Sequence, residues 1–126
     1  MREIVFRGKT EAGNWVVGMG IAIGKQGVRI HYSDHVNVQV IPETVGQYTG
    51  LVDKNGEQIF EGDIVSICGS KSFFFVIEWD NSKSCYILKC TVNGVQDTAC
   101  NVIESPEDVE VIGDIHDNPE LLGVYV

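Results

Sequence analysis

The sequence predicts an all-β protein, with mainly β structure and one or two short helical turns. Short apolar segments alternate with turn residues, fourteen of the 126 residues are glycine, and Asn-Gly lies between apolar segments at Asn55-Gly56 and Asn93-Gly94. Asn-Gly is typical of two-residue hairpin loops, because both residues adopt a positive φ at low cost. We expect N-terminal β hairpins followed by a small SH3-like barrel.

The first forty residues predict a hairpin followed by three further strands. An apolar segment at residues 4–6 and a second at residues 15–17 are joined by turn residues, which predicts a hairpin. Three glycines interrupt the apolar segment around residues 19–23. They favour a bent strand, because each glycine would cost a helix about 1 kcal/mol. Two further strands show the period of two that is typical of half-buried strands. Their apolar positions are Val28, Ile30, Tyr32, Val36, Val38 and Val40.

The centre of the chain, residues 42–65, is a series of predicted turns with near-regular glycine spacing. A type I′ turn at Asn55-Gly56 should join two short apolar arms, because this turn type needs a positive φ at both central residues. Glu61-Gly62-Asp63 predicts a second reversal before a strand rich in β-branched residues. The predicted turn residues are Gly46, Gly50, Asn55, Gly56, Gly62 and Asp63.

The second half predicts four consecutive strands, and their number and spacing are the basis for the SH3-like barrel. They cover residues 64–68, 73–80, 84–92 and 95–103. A helical turn at residues 105–108, a strand from Val109 and a last turn at residues 117–122 should follow. We expect a single domain over residues 1–126. Two lobes, residues 1–60 and residues 61–126, are the alternative.

Four separated blocks of the sequence match a known family in order. They are REIVFRGK at residues 2–9, WVVG at residues 15–18, PETVGQYTGLVDKNGEQIFEGDIV at residues 42–65 and VIGDIHDNPELL at residues 111–122. Together they resemble the phage and prophage YopX family. Asp114 stands where the family more often has Asn, and His116 where it more often has Tyr. The resemblance implies a phage-associated, mostly β protein and implies no reaction.

Composition and charge exclude several function classes. Apolar residues at 44% and charged residues at 21% are typical of a globular protein, and no apolar run approaches the ~20 residues of a membrane span. Without a hydrophobic signal segment, we expect a location in the bacterial host cytoplasm. The net charge of −9 argues against nucleic-acid binding. The alternative is a basic patch in the first thirty residues, formed by Arg2, Arg7, Lys9, Lys25 and Arg29.

No spacing typical of a catalytic, nucleotide-binding or metal motif occurs, so we expect no enzymatic activity, cofactor or metal. We expect Trp15 in the core of the first half, with ligand stacking as the alternative. His31 and His35 flank a turn and lack a placed third ligand. The cysteines lack a C-x-x-C pair and should be reduced, partly buried thiols. They are Cys68, Cys85, Cys90 and Cys100.

Four acids cluster in the central stretch: Asp53, Glu57, Glu61 and Asp63. Paired carboxylates are used in hydrolysis and in cation binding. Their positions beside turn glycines favour a turn-stabilising role instead. A hydrolase that uses this cluster is the alternative.

The apolar segment that contains Phe73, Phe74 and Phe75 predicts a protein interface. Together with Val76-Ile77 it is apolar on both faces, so it should form a central strand that is covered on two sides. A small chain has little material for that cover, which predicts a homo-oligomer. We therefore expect a non-enzymatic phage or prophage accessory protein that binds its own copies or a host or phage protein. A nucleic-acid-associated phage protein is the alternative.

Overall fold

The computed structural model describes residues 3–33, 36–71, 74–92, 95–100 and 106–122. Within these ranges the regular elements are strands and 3-10 turns, so the predicted all-β class is confirmed. The strands are β1 (Phe6–Lys9), β2 (Trp15–Gly18), β3 (Gly20–Gly24), β4 (Gly27–Ser33), β5 (Val36–Val40), β6 (Gly46–Val52), β7 (Gln58–Phe60), β8 (Asp63–Ile67), β9 (Phe75–Asp80), β10 (Cys85–Val92), β11 (Val95–Cys100) and β12 (Val109–Asp114). The 3-10 turns are Pro42–Thr44, Pro106–Asp108 and Pro119–Leu122, and the last two fall where helical turns are predicted.

The chain divides into two compact units, Met1–Gly50 and Leu51–Val126. Strand β6 begins in the first unit and ends in the second. The predicted division after residue 60 falls inside the second unit. The first unit holds five basic and four acidic residues, which gives a net charge of +1, and the second holds four basic and fourteen acidic residues, which gives −10.

The first unit contains the predicted N-terminal hairpin. Strand β1 pairs antiparallel with β2 and, on its other side, with the first residues of β6. Strands β3, β4 and β5 form a three-stranded antiparallel sheet in chain order. The alternating residues Val28, Ile30 and Val40 form its buried core. Tyr32 is 54% exposed, because the register shifts between His31 and Ser33 and ends the alternation.

Strand β2 packs closely against β4, and glycine permits this approach. A Cβ atom on Gly18 would lie 2.2 Å from the His31 carbonyl oxygen. Real Cβ atoms do not approach backbone atoms this closely, so any side chain here would push the two strands apart. The glycine-rich composition of the first unit therefore has a packing role as well as a turn role.

The second unit is built on a five-stranded antiparallel sheet with the order β11-β10-β9-β8-β12. Strand β9 lies at its centre, as predicted, and both of its faces are buried at Val76, which is 7% exposed, and Ile77, which is not exposed, although Trp79 further along is 44% exposed. Ile77 belongs to the core cluster of this unit together with Ile59, Val65, Leu88 and Val109. Both faces are buried within one chain.

Two predictions in the central stretch differ from the structure. Gly46 and Gly50 lie inside β6 rather than in turns, because a strand continues through Gly50 at φ +91°, a conformation open to glycine. The predicted type I′ loop at Asn55-Gly56 is wrong, since Gly56 has φ +81° but Asn55 has no positive φ. The Gly56 N–H donates to the Asp53 carbonyl oxygen at 3.0 Å instead. The Asn93-Gly94 loop lies outside the described residues.

Candidate functional site

Residues 15–24 lie in the first unit and contain an edge strand of each of two sheets. This stretch contains β2, a break at Met19 and β3, and each strand lies at the end of its sheet order. We call residues 15–24 the β2–β3 edge. Its sequence, WVVGMGIAIG, contains neither a charged residue nor a proline. Edge strands usually carry such residues, because their outward backbone groups otherwise pair with other strands.

The β2–β3 edge also exposes large apolar side chains. Val17 is 47% exposed, Met19 76% and Ile23 79%. Single exposed apolar residues are ordinary on a protein surface. Three in one uncharged edge segment are not ordinary, because their side chains and the backbone beside them suit the same kind of partner, an extended strand.

The basic N-terminal hairpin lies next to this edge, and its cations contact an aromatic ring. The Arg7 guanidinium carbon lies 4.4 Å and the Lys9 Nζ lies 5.3 Å from the centroid of the Trp15 ring. Such cation–π contacts stabilise the ring and the cations together. Trp15 is half-buried beneath them rather than deep in the core.

A shallow pocket of about 440 Å³ lies at one end of the first unit. It is lined by Thr10, Glu11, Ala12, Gln39, Val40, Ile41 and Pro42. Among these lining residues Glu11 is the ionisable one, and it is exposed. The pocket therefore offers no pair of acid and base groups for general catalysis.

Asp53, a member of the acidic cluster, organises the backbone of the second unit. It is 4% exposed, and its Oδ1 accepts the Asn55 N–H at 2.8 Å and the Glu57 N–H at 2.9 Å. Its Oδ2 accepts the Val111 N–H of β12 at 2.9 Å. Burial by itself raises the pKa of Asp53, but these three N–H donors and the Lys54 charge together lower it below its ordinary value. The carboxylate is thus an ionised structural acceptor.

Two more aspartates have structural roles at the start of β8 and the end of β12. Asp63 is 1% exposed, and its Oδ2 accepts the Phe60 N–H at 2.7 Å. Asp114 is the register partner of Asp63, and its Oδ1 accepts the N–H groups of His116 at 2.9 Å and Asp117 at 2.8 Å. An asparagine side-chain oxygen could accept the same two bonds as the Asp114 carboxylate.

Two members of the acidic cluster therefore have structural roles. Asp53 and Asp63 bind backbone N–H groups in separate turns, and Glu57 is exposed on the surface. Among the described residues, no three His, Cys, Asp or Glu side chains lie close enough together to hold a metal ion. Cys68 is exposed, Cys85 is half-buried and Cys90 is buried. His35 lies outside the described residues.

The predicted interface at Phe73, Phe74 and Phe75 is only partly described. Phe73 lies outside the described residues, and Phe74 is half-buried just before β9. Phe75 packs against the core of its own unit. The β2–β3 edge is the surface that sequence reasoning missed. Its signal was present as an uncharged run of ten residues, but the position of that run at a sheet edge depends on strand order.

Comparison with known proteins identifies a family and a fold. The family model described as YopX protein matches residues 17–123. The solved structure of protein EF1440 from Enterococcus faecalis is 22% identical to this chain, with a TM-score of 0.52. The alignment covers 94% of this chain and 97% of that chain, so the likeness shows a shared fold. No curated protein sequence matches. In the described ranges, no helix has the length and apolar character that crossing a bilayer requires.

Proposed function

The chain belongs to the YopX family, and from that premise we propose that it is a non-enzymatic binding protein whose interaction surface is the β2–β3 edge. The observation that carries the proposal is the uncharged, proline-free sequence of an edge that exposes Val17, Met19 and Ile23. A surface of this kind is recognised by a protein strand through backbone hydrogen bonds and apolar contacts.

The use of the buried carboxylates supports a non-enzymatic role. A catalytic carboxylate needs access to substrate and a pKa suited to proton transfer. Asp53 has neither, because it is buried beneath backbone donors that keep its pKa low. Asp63 and Asp114 are also buried and also accept backbone N–H groups.

The family resemblance supports an accessory role in a phage or prophage, in the cytoplasm of a bacterial host. The second unit supports the SH3-like part of that proposal. Four of its strands follow one another in chain order, and β12 returns to pair with β8. A five-stranded antiparallel arrangement of this order is the one expected of a small SH3-like barrel, which is a common scaffold for binding proteins.

Homo-oligomer formation is also part of the proposal, and its interface is expected in the first unit rather than at the strand with Val76-Ile77. The strand that contains Val76-Ile77 was expected to need cover that a small chain can hardly supply. Val76 and Ile77 are both buried in a single chain, so this strand does not require a partner. The exposed apolar side chains Val17, Met19 and Ile23 are the better candidates for contact with a second copy.

Nucleic-acid binding has weaker support. The second unit has a net charge of −10, which repels a phosphate backbone. In the first unit, Arg7 and Lys9 contact the Trp15 ring. The Arg29 Nε donates to the Asn37 Oδ1 within its own sheet. These cations have partners within the protein, which favours protein binding over nucleic-acid binding.

The proposal is tested by affinity capture with the full chain as bait and an edge variant for comparison. Val17→Lys and Ile23→Lys together place charges on the edge at exposed positions. Tyr32→Lys is the matched control, because Tyr32 is also an exposed apolar residue but lies on the central strand β4. We expect a bacterial protein, or a differently tagged second copy, to be captured by the wild type and by Tyr32→Lys, and at least tenfold less by the edge variant. Equal capture by all three baits, or no capture by any, would overturn the proposal.

A further inference from the structure

We propose that β3 is a homodimer interface, at which the β3 strands of two copies of this chain pair antiparallel about a twofold axis through Ala22. The inference deepens the proposed function and rests on it, since it names a second copy as the partner at the β2–β3 edge. The dimer joins two three-stranded sheets into one sheet of six strands.

The sequence of β3 is self-complementary. It reads Gly20-Ile21-Ala22-Ile23-Gly24, which is the same in both directions. In an antiparallel pair with the axis at Ala22, Ile21 lies opposite Ile23 of the second copy, and glycine lies opposite glycine. A twofold interface requires one patch that fits itself, and a palindromic strand meets this requirement along its whole length.

The register of the sheet places suitable backbone groups at the edge. Gly24 pairs with Gly27 across the two-residue loop Lys25-Gln26. The pair that closes such a loop is hydrogen-bonded, so the alternation along an antiparallel strand directs the N–H and C=O groups of Ile21 and Ile23 away from β4. In the dimer these groups exchange about four hydrogen bonds with the same groups of the second copy.

The same pairing also buries apolar side chains at this edge. Ile21 packs against the core of the first unit, and Ile23 is the register partner of the buried Val28. Ile23 is nevertheless 79% exposed, because it lies on the outermost strand of the sheet. In the dimer it contacts Ile21 of the second copy, which removes apolar surface from water.

Charge permits this contact between copies. The whole chain has a net charge of −9, which generally keeps copies apart. The first unit has a net charge of only +1, and β3 itself has no charged residue. Two strands of five residues bury less than the ~1,200 Å² of a standard interface. The dimer is therefore expected to be a weak one.

Disulfide trapping tests the position of the axis. In the proposed pairing the two Ala22 residues form a non-hydrogen-bonded pair with Cα atoms about 4.5 Å apart, which suits a disulfide. The test uses the full chain with Cys68→Ser, because Cys68 is exposed. Ala22→Cys is compared with Val36→Cys, an exposed position on β5, the other edge of the same sheet. The variant with Cys68→Ser alone provides the background level of dimer.

Under mild oxidation we expect Ala22→Cys to form a covalent dimer at least tenfold faster than Val36→Cys, as seen on non-reducing gels. Equal rates, faster dimer formation by Val36→Cys, or a level no higher than background would overturn the proposed pairing.

Sedimentation equilibrium tests the dimer without a new cysteine. We expect the wild type to dimerise with rising concentration, and Ile23→Lys to weaken the association at least tenfold, because it places a charge opposite Ile21 of the second copy. Tyr32→Lys is the matched control, since Tyr32 is 54% exposed but lies on the central strand β4. It should leave the association unchanged.

The sedimentation result also separates this inference from the proposed function. A wild type that stays monomeric near millimolar concentration, or equal weakening by both variants, would overturn the β3 dimer. If that monomeric wild type still captures a cellular protein that the edge variant loses, the binding function holds and only the choice of partner is wrong. If it captures nothing, both are wrong. Circular dichroism confirms that each variant is folded.

Discussion

The two units of this chain differ in how far their sheets are buried and in net charge. In the second unit the central strand β9 is buried on both faces at Val76 and Ile77, and the unit has a net charge of −10. In the first unit the sheet of β3, β4 and β5 exposes Ile23 at one edge, and the unit has a net charge of +1. The second unit thus buries the middle of its sheet and carries a charge that repels its copies, whereas the first exposes apolar side chains at an uncharged edge. We therefore place the proposed binding surface on the first unit.

The units also differ in what holds their strands in place. The second unit uses buried carboxylates, of which Asp53 joins the turn after β6 to β12 through three backbone N–H groups. The first unit uses the close approach of backbones at glycine, as at Gly18 beside His31. A change at each of these points should therefore destabilise one unit and spare the other.

The largest effect is expected from Gly18→Ala. The new Cβ would lie 2.2 Å from the His31 carbonyl oxygen, so β2 and β4 must separate. We expect the free energy of unfolding of the first unit to fall by more than about 3 kcal/mol. Hydrogen exchange should then be faster in peptides from residues 1–50 than in peptides from residues 51–126.

Gly13→Ala is the control for this substitution. Nothing lies within 4 Å of a Cβ atom at Gly13, although its φ is +89°. Only the cost of a left-handed alanine remains, about 1 kcal/mol. If Gly13→Ala destabilised the chain as strongly as Gly18→Ala, the close approach of β2 and β4 would not be the cause of the lost stability.

The second-largest loss of stability is expected from Asp53→Ala in the second unit. The substitution leaves the N–H groups of Asn55, Glu57 and Val111 without their acceptor, which should cost roughly 3 kcal/mol. Chemical denaturation gives the size of the loss, and hydrogen exchange should locate it in residues 51–126. Asp80→Ala is the control, because Asp80 accepts similar turn bonds from Ser82 and Lys83 in an exposed loop. A loss as large for Asp80→Ala would contradict the special role of burial at Asp53.

A smaller loss of stability is expected at acid pH. The pKa of Asp53 is lower in the folded chain than its ordinary value of 3.8, so the unfolded chain binds the proton first. The stabilising contribution is complete above the ordinary pKa and is lost as the pH falls through the lowered one. Denaturation midpoints from about pH 6 down to about pH 3 should show this loss in the wild type and less of it in Asp53→Asn. Identical pH profiles would mean that Asp53 is not held ionised by the fold.

No effect at all is expected when nucleic acid is added. The net charge of −9 and the contacts of Arg7 and Lys9 with Trp15 argue against binding to phosphate. Fluorescence anisotropy with labelled single- and double-stranded DNA at ~50 mM salt should show no association, although electrostatic affinity is greatest there. Binding that Arg7→Gln abolished would instead assign the N-terminal hairpin to nucleic acid.

Local pattern was sufficient to predict the fold class and the central strand. Alternation at Val28 and Ile30 predicted a half-buried strand, and the doubly apolar segment with Val76-Ile77 predicted one that is buried on both faces. Both features depend on residues next to each other in the chain, which is why sequence alone reveals them.

Long-range contacts decided the features that could not be predicted. The turn at Asn55-Gly56 departs from type I′, and Asp53, whose carboxylate holds the turn, also accepts an N–H from Val111, 58 residues away. The role of residues 15–24 as an edge depends on which strands pair with β1 and β4, and hydrophobic period does not specify pairing order. Gly46 and Gly50 were expected in turns, because the local sequence does not distinguish a glycine inside a strand from a glycine in a turn.

The most direct measurement of the central claim is amide hydrogen exchange at Ile21 and Ile23, followed by NMR in the unmodified chain from low micromolar to near-millimolar concentration. If residues 15–24 are an interaction surface and β3 pairs with β3, exchange at these two amides should slow as the concentration rises, while exchange in β9 stays constant. Exchange at Ile21 and Ile23 that is the same at every concentration would contradict the account.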